Sequence, residues 1–262
     1  MIIPKKQTPS WHKGYLQDAN DLYQRHLVSG SSLGGHSIGI IAIDLVYPKL
    51  PGNVVNATTF DFPVLYEKVN FDIQKLFNAE SEIEEIIVNA AKRLEADGVR
   101  AIIGACGYFA NFQTQVAQAV DIPVFLSSLC QLPIIKLGLK PSKKTLVLCA
   151  DGASFTQELL DNVNGKMEDC VVLDIGDLES FAPIKKGTLE LDNAQLTSDL
   201  VRVTQERLAQ NEEIGAILLE CSDLPPYACD IQRATGLPVF DFISMIEWAN
   251  HAVMQKRYMG YF

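Results

Sequence analysis

The chain has 262 residues, a hydrophobic fraction of 48% and a formal net charge of −10 at pH 7. This length suits one large domain or two small ones, and the hydrophobic fraction is ordinary for a globular protein with a core. The negative charge argues against nucleic acid or an anionic membrane as a partner, because both require a basic surface. No apolar run approaches the roughly 20 residues of a membrane helix, and the N-terminus lacks the apolar region of a signal peptide. We therefore expect a cytoplasmic protein.

The first half of the chain is predicted to hold an extension and one α/β lobe. Residues 1–36 fit no repeat, and we expect them to pack on the body or on a neighbouring subunit. The first lobe is predicted over residues 37–140, with strands where apolar residues run continuously, as in a sheet buried on both faces. The predicted strands cover residues 37–44, 64–69, 101–105 and 123–126. Helices are predicted between a capping-box sequence at 81–84 and Gly98, and over residues 111–120.

The second half is predicted to repeat this arrangement over residues 141–241. Its strands are expected at residues 144–149, 171–174, 214–219 and 239–241. Helices are expected up to Leu160, over residues 193–210, and after Pro225-Pro226, since proline suits a first helical turn. Residues 242–262 are predicted to carry an amphipathic helix that packs on the first lobe.

An internal duplication connects the two lobes. The stretches that run from Ala101 to Cys106 and from Ala216 to Cys221 align with a shift of 221 − 106 = 115 residues, which also lays Pro123-Val-Phe on Pro238-Val-Phe. Alternating strands and helices indicate an α/β fold with two pseudo-symmetric parallel-sheet lobes and helices on both faces. Ligands bind such sheets beyond the carboxyl ends of the strands. The sequence therefore predicts an active site in the cleft between the lobes, with one cysteine on each wall.

The sequence carries no signature of a metal or cofactor site. Its six cysteines form no CxxC pair, no histidine lies beside Cys106 or Cys221, and no GxGxxG or Walker sequence is present. Reduced thiols are expected in the cytoplasm. We therefore expect neither cofactor nor metal.

Two opposed cysteines suggest acid–base chemistry. Thiolate is the reactive form, and a helix N-terminus that follows a cysteine is expected to lower the thiol pKa and to bind a carboxylate. One thiolate would remove the α-proton of a small carboxylate substrate, and the opposite thiol would return a proton. Because Glu220 and Asp223 flank Cys221 and oppose its ionisation, Cys106 is predicted to be the resting thiolate.

The residues around the cysteines allow two interpretations each. Gly107 either lets the backbone approach a ligand or forms a turn, and Ser222 with Asp223 either caps a helix or binds substrate. Aromatic residues near the expected cleft either belong to the core or form a box for an onium group. These are Tyr47, Tyr108, Phe109, Phe112 and Tyr227. The acidic residues Asp44, Glu220 and Asp223 would also suit a cationic substrate.

From Ser37 to the C-terminus, the paired strand-end cysteines resemble the aspartate/glutamate/hydantoin racemase superfamily. The resemblance implies a cofactor-independent racemase, epimerase or decarboxylase, often dimeric, with Cys106 and Cys221 as acid and base. It also matches Asp44 to the acidic or polar residue after the first strand. Amino-acid racemases usually have Asn-Thr after the first cysteine and Thr after the second. Gly107-Tyr108 and Ser222-Asp223 replace them here, which weakens the expectation of an α-amino acid substrate.

Three longer motifs are similar to the algal dimethylsulfoniopropionate lyases and their lyase-like relatives. They are Gly-x-Cys-Gly-aromatic-Phe at 104–109, Ser-Ser-Leu-x-Gln-Leu-Pro at 127–133 and Glu-Cys-Ser-Asp-Leu-Pro-Pro-Tyr at 220–227. In that branch a cysteine takes the α-proton and dimethyl sulfide leaves from the β-carbon. The sulfonium group would account for an aromatic and acidic lining.

Our leading hypothesis is a racemase or epimerase that acts on a small carboxylate. The alternative is a β-elimination lyase that cleaves dimethylsulfoniopropionate or a similar onium carboxylate. A binding protein that kept the scaffold is disfavoured, because a binding cleft needs neither cysteine. A homodimer or higher homo-oligomer is expected. The predicted catalytic residues are Cys106 and Cys221, and the predicted substrate-binding residues are Asp44, Tyr47, Gly107, Tyr108, Ser127, Ser222 and Asp223.

Overall fold

The computed structural model describes Tyr23, Arg25 and residues 32–262, so most of the predicted N-terminal extension lies outside the described residues. The first lobe contains a four-stranded parallel sheet. Its strands are β1 (Ile38–Ile43), β2 (Val64–Val69), β3 (Ala101–Gly104) and β4 (Val124–Phe125). Their order in the sheet is β2-β1-β3-β4.

The second lobe contains another four-stranded parallel sheet. Its strands are β5 (Lys144–Cys149), β6 (Cys170–Asp174), β7 (Ile214–Leu219) and β8 (Val239–Phe240). Their order, β6-β5-β7-β8, repeats the order of the first sheet. The predicted α/β fold with two pseudo-symmetric parallel sheets is therefore confirmed.

Nine α-helices surround these sheets in the described part of the chain. They are α1 (Ile73–Phe77), α2 (Glu84–Ala96), α3 (Gln113–Ala119), α4 (Leu132–Gly138), α5 (Gln157–Asp161), α6 (Ala182–Lys186), α7 (Asn193–Ala209), α8 (Ala228–Thr235) and α9 (Phe242–Val253). None of the helices in these residues has the length and apolar content to cross a membrane. Helices α1, α4 and α6 were not predicted, because five to seven residues are too few to show a clear helical period.

The predicted capping box before α2 is wrong. Residues Ser81–Ile83 form a separate 3₁₀ turn, and neither that turn nor α2 has a side-chain cap. The side chain of Glu82, between the two residues of the predicted box, pairs with Lys75 of α1. The helix is held by its apolar face, because Ile87, Ala90, Ala91 and Leu94 are fully or almost fully buried.

Strand β1 is buried on both faces, which explains its continuous apolar sequence. Ile41 and Ile43 point into the core that includes α2, whereas Ile38, Ile40 and Ala42 face α9. A capping box between Asp241 and Ser244 begins α9 directly after β8. The helix thus leaves the second sheet and packs against the first, which links the two lobes.

Hydrogen bonds also join the lobes at the carboxyl ends of β3 and β7. Ser222 Oγ donates to the carbonyl oxygen of Ala105 at 3.0 Å, and Ser128 Oγ donates to that of Leu219 at 3.0 Å. The amide of Val54 donates to the Ser222 carbonyl at 3.3 Å. These bonds fix the distance between the two strand ends that carry the cysteines.

Candidate active site

A cavity of about 170 Å³ lies at these strand ends and is lined by both lobes. Cys106 and Cys221 each follow the last residue of their strand by two positions, and both line the cavity. The other polar or charged side chains of the lining include Tyr47, Lys49, Gln74, Lys185, Lys186, Ser222 and Asp223. The fold therefore brings the two duplicated cysteines to one cavity.

Cys106 occupies the N-cap position of a 3₁₀ helix, Gly107–Phe112. The backbone N–H of Tyr108 favours the thiolate of Cys106, as expected for a helix start. Burial and then the carboxyl group of Glu220 act more strongly in the opposite direction, and the pKa of Cys106 lies well above its ordinary value. The expectation of a lowered pKa from the helix end alone is wrong, because the surrounding apolar core outweighs one amide.

Cys221 is buried, and its Sγ donates to Asp223 Oδ2 at 3.5 Å. The next helical turn begins at Pro225, as predicted, so no helix N-terminus lies directly at Cys221. Burial raises the pKa of Cys221 well above its ordinary value, and the charges of Asp223 and Glu220 add to the effect. These contacts favour the thiol form.

Asp223 lies at the centre of a hydrogen-bond network on the cavity wall. Tyr47 Oη donates to Asp223 Oδ1 at 2.8 Å, and Asn53 Nδ2 donates to the same oxygen. Burial raises the pKa of Asp223, while the Tyr47 hydroxyl and the charge of Lys49 favour its ionised form. Asp223 is thus a buried carboxyl group held in one orientation beside Cys221.

Lys49 brings a cationic group to the same wall, and the sequence did not single it out. Its Nζ lies 3.3 Å from the centroid of the Tyr47 ring and donates to the Leu45 carbonyl at 3.0 Å. Burial lowers the pKa of Lys49, and the charge of Asp223 acts against that shift. With Lys185 and Lys186 at the end of α6, the cavity presents both positive and negative groups.

Four of the predicted substrate-binding residues lie outside the cavity lining. Asp44 forms a 3.0 Å ion pair with Lys68 on a half-exposed surface, and the side chain of Ser127 accepts from the amide of Leu129. Tyr108 is fully buried, and its hydroxyl donates to the Asp151 carbonyl. Gly107 is also absent from the lining, which does include the predicted Tyr47, Ser222 and Asp223.

The predicted aromatic box is mostly core. Tyr108, Phe109, Phe112 and Tyr227 are buried in the hydrophobic clusters of the two lobes. Of the five aromatic residues considered, Tyr47 lines the cavity, and Phe77 and Phe181 join it from α1 and from the residue before α6. Sequence alone missed these two because they lie in short helical segments that were not predicted.

Comparison of the sequence with those of known proteins finds dimethylsulfoniopropionate lyases. Dimethylsulfoniopropionate lyase 7 of Emiliania huxleyi (strain CCMP1516) is 31% identical over 236 residues, which cover 86% of this chain and 69% of that protein. The dimethylsulfoniopropionate lyase of Durusdinium sp. clade D is 31% identical over 225 residues, with coverages of 79% and 71%. No family model matches the sequence.

Comparison with solved structures finds racemases and a decarboxylase. Unliganded arylmalonate decarboxylase matches with a TM-score of 0.53 and 16% identity over 85% of this chain and 94% of that one. Picrophilus torridus aspartate racemase matches with a TM-score of 0.53 and 18% identity, and the match covers 86% of this chain and 96% of that one. Glutamate racemase from Francisella tularensis subsp. tularensis SCHU S4, solved with D-glutamate, matches with a TM-score of 0.52 and 17% identity. The match covers 86% of this chain and 85% of that one. These similarities show a shared fold.

Proposed function

The chain belongs to the dimethylsulfoniopropionate lyase family, and on that premise we propose that it eliminates dimethyl sulfide from dimethylsulfoniopropionate or a similar β-onium carboxylate. This places the lyase alternative ahead of the racemase that the cysteine pair alone favoured. The observation that carries the proposal is the convergence of Cys106, Cys221, Asp223 and Lys49 on one cavity, in a chain related to such lyases.

The charges of the cavity suit a small zwitterion. Lys49, Lys185 and Lys186 offer cations to the substrate carboxylate, as charge-assisted hydrogen-bond donors. Asp223 offers a buried negative group to the onium centre, and its orientation is fixed by Tyr47. A cavity of about 170 Å³ suits a substrate of this small size.

The proposed reaction begins with α-proton removal by Cys106. The thiolate takes the proton, the C–H electron pair forms the Cα=Cβ bond, and the Cβ–S bond breaks. Its electron pair leaves on sulfur as neutral dimethyl sulfide, and acrylate remains. Cys221 keeps its proton, which Asp223 accepts in a hydrogen bond. All the proton transfers use side chains of the chain itself.

Racemisation or epimerisation of a small carboxylate is the second candidate, because thiols from two lobes line the same cavity. Incubation with candidate substrates in deuterated water separates the two reactions. Dimethylsulfoniopropionate, L-aspartate and L-glutamate would be supplied separately, and α-deuteration and product release followed by NMR. We expect elimination from the onium substrate and no exchange on the amino acids. Exchange on an amino acid without elimination would instead support the racemase.

Lys49→Met should raise the KM for the onium carboxylate about 10- to 100-fold, because a charge-assisted hydrogen bond contributes about 1.5–3 kcal/mol. The effect on kcat should be smaller, since the cation contacts the carboxylate before and during the reaction. Lys140→Met removes an exposed lysine and serves as the control for net charge. If both variants keep the wild-type KM, Lys49 does not bind the carboxylate.

A further inference from the structure

Glu220 is a buried carboxyl group for which the proposed reaction has so far given no role. It has no exposed surface, and neither of its carboxyl oxygens has a hydrogen-bond partner within the described part of the chain. A buried polar group without a partner is destabilising and is uncommon in folded proteins. Its presence next to Cys221 therefore calls for a functional explanation.

Gly107 makes room for this carboxyl group. A β-carbon at position 107 would overlap the carboxyl atoms of Glu220, so the Glu220 side chain would have to leave its present position. Gly107 does not have a positive φ, so the turn interpretation is not supported. The glycine that follows Cys106 in the first lobe thus leaves the space that the side chain of Glu220, which precedes Cys221 in the second lobe, occupies.

The Glu220 side chain lies against Gly107, the residue after Cys106, and outside the cavity lining. Glu220 is not part of the cavity lining, whereas Cys106 is. After burial, Glu220 is the largest influence on the pKa of Cys106. The titratable groups that interact with Glu220 are Cys106, Tyr108, Cys149, Asp151, Asp174 and Cys221. Glu220 can therefore act on a substrate only through another side chain.

Burial raises the pKa of Glu220 to about 8, and the charges of Asp151 and Asp174 add to that effect. The nearby amide of Ala150 acts in the opposite direction. A carboxyl group with this pKa exchanges its proton near neutral pH, where an ordinary glutamate is ionised.

We propose that Glu220 accepts the proton that Cys106 carries after each α-proton removal. Glu220 thereby restores the Cys106 thiolate and acts as a positioning residue, without touching the substrate. The inference rests on the proposed lyase function. Elimination converts a zwitterion into neutral sulfide, acrylate and one proton, so Cys106 must lose a proton in every turnover. Racemisation releases no net proton, because the opposite thiol returns one to the substrate, and it needs no such acceptor.

The transfer is balanced within the pair. After α-proton removal, Cys106 is a thiol and Glu220 is a neutral carboxylic acid. Glu220 releases its proton to solvent as the products leave, and its carboxylate then takes the proton of the Cys106 thiol, which restores the thiolate. Each turnover passes one proton to solvent, and the pair never carries two adjacent buried anions.

Glu220→Gln separates this role from a purely electrostatic one, because the two predict opposite changes in activity. Removal of the carboxyl charge should make Cys106 easier to ionise, so its alkylation by iodoacetamide at pH 9, mapped by mass spectrometry, should become faster. If Glu220 only hinders Cys106, turnover should rise as well. If it accepts the proton, turnover should fall about 10²-fold or more despite the more reactive thiol.

The alkylation profile provides a test without substrate. In the wild type, the rate at Cys106 should rise with pH and level off above about pH 8, where Glu220 ionises, and in Glu220→Gln it should keep rising. Glu220→Asp, which keeps a carboxyl group, should retain the plateau and more activity than Glu220→Gln. Glu212→Gln, at an exposed site before β7, is the matched control.

Identical alkylation profiles for the wild type and Glu220→Gln would overturn the inference, and so would turnover in Glu220→Gln that equals or exceeds the wild type. A wild type that releases no sulfide is a different result. It would reject the proposed function, while the alkylation profile would still decide whether Glu220 controls Cys106.

Discussion

Cys106→Ser should lower the rate of sulfide release about 10²- to 10⁴-fold, the usual contribution of a general base. A serine hydroxyl holds its proton much more strongly than a thiol, so the alkoxide needed for α-proton removal is not populated at neutral pH. The change in volume is small, and the fold should be retained. Cys229→Ser replaces an exposed cysteine of α8 and should keep the wild-type rate.

Cys221→Ser distinguishes elimination from racemisation. Elimination uses one base, so loss of Cys221, which donates to Asp223, should reduce the rate less than loss of Cys106. Racemisation requires both thiols, and the two substitutions would then be equally damaging. Steady-state rates of the two single variants give the answer. Full activity in both would contradict any role of the cysteine pair in catalysis.

Glu220→Gln should have a higher free energy of unfolding than the wild type, by an amount that grows as the pH rises from about 4.5 to about 8. The folded state raises the pKa of Glu220 from 4.5 to about 8, so in this interval the unfolded chain releases a proton that the folded chain retains. The stability that this group contributes is complete below pH 4.5 and is lost as the pH rises through 8. At about 1.4 kcal/mol per pH unit, the total change is about 5 kcal/mol.

Urea unfolding of the wild type and Glu220→Gln, each at pH 4.5 to 9, measures this difference directly. The difference in the free energy of unfolding should grow across the interval and stay constant above it. Glu212→Gln should show a difference from wild type that does not vary in this way, because the Glu212 side chain is exposed and stays in water after folding. A difference for Glu220→Gln that is independent of pH would show that its carboxyl is ionised in the folded state.

Buried strands were the part of the fold that the sequence predicted best. The bounds of β5 and β7 agree with the prediction, because these central parallel strands are mostly apolar and end at a small or polar residue. The bounds of the edge strand β2 agree as well, although it contains Glu67 and Lys68. The duplicated spacing of the strands also placed Cys106 and Cys221 at equivalent strand ends. Short helices such as α6 were missed, and with them Lys185 and Lys186 of the cavity.

The site was less predictable because its residues are brought together by tertiary contacts. Glu220 was expected to influence Cys221, its neighbour in sequence, and only the packing of the two lobes shows that it lies against Gly107 and affects Cys106. Lys49 carries no local signal beyond its position two residues after Tyr47. Asp44, chosen by its position after β1, pairs with Lys68 instead.

The stoichiometry of the wild-type reaction with dimethylsulfoniopropionate tests the central claim most directly. Dimethyl sulfide would be measured by gas chromatography, acrylate by NMR and released protons in a weakly buffered solution. We expect the three products in equal amounts, as α-proton removal followed by loss of the β-sulfide requires. Deuterium incorporation at the α-carbon of intact substrate in deuterated water, without sulfide or acrylate, would contradict elimination.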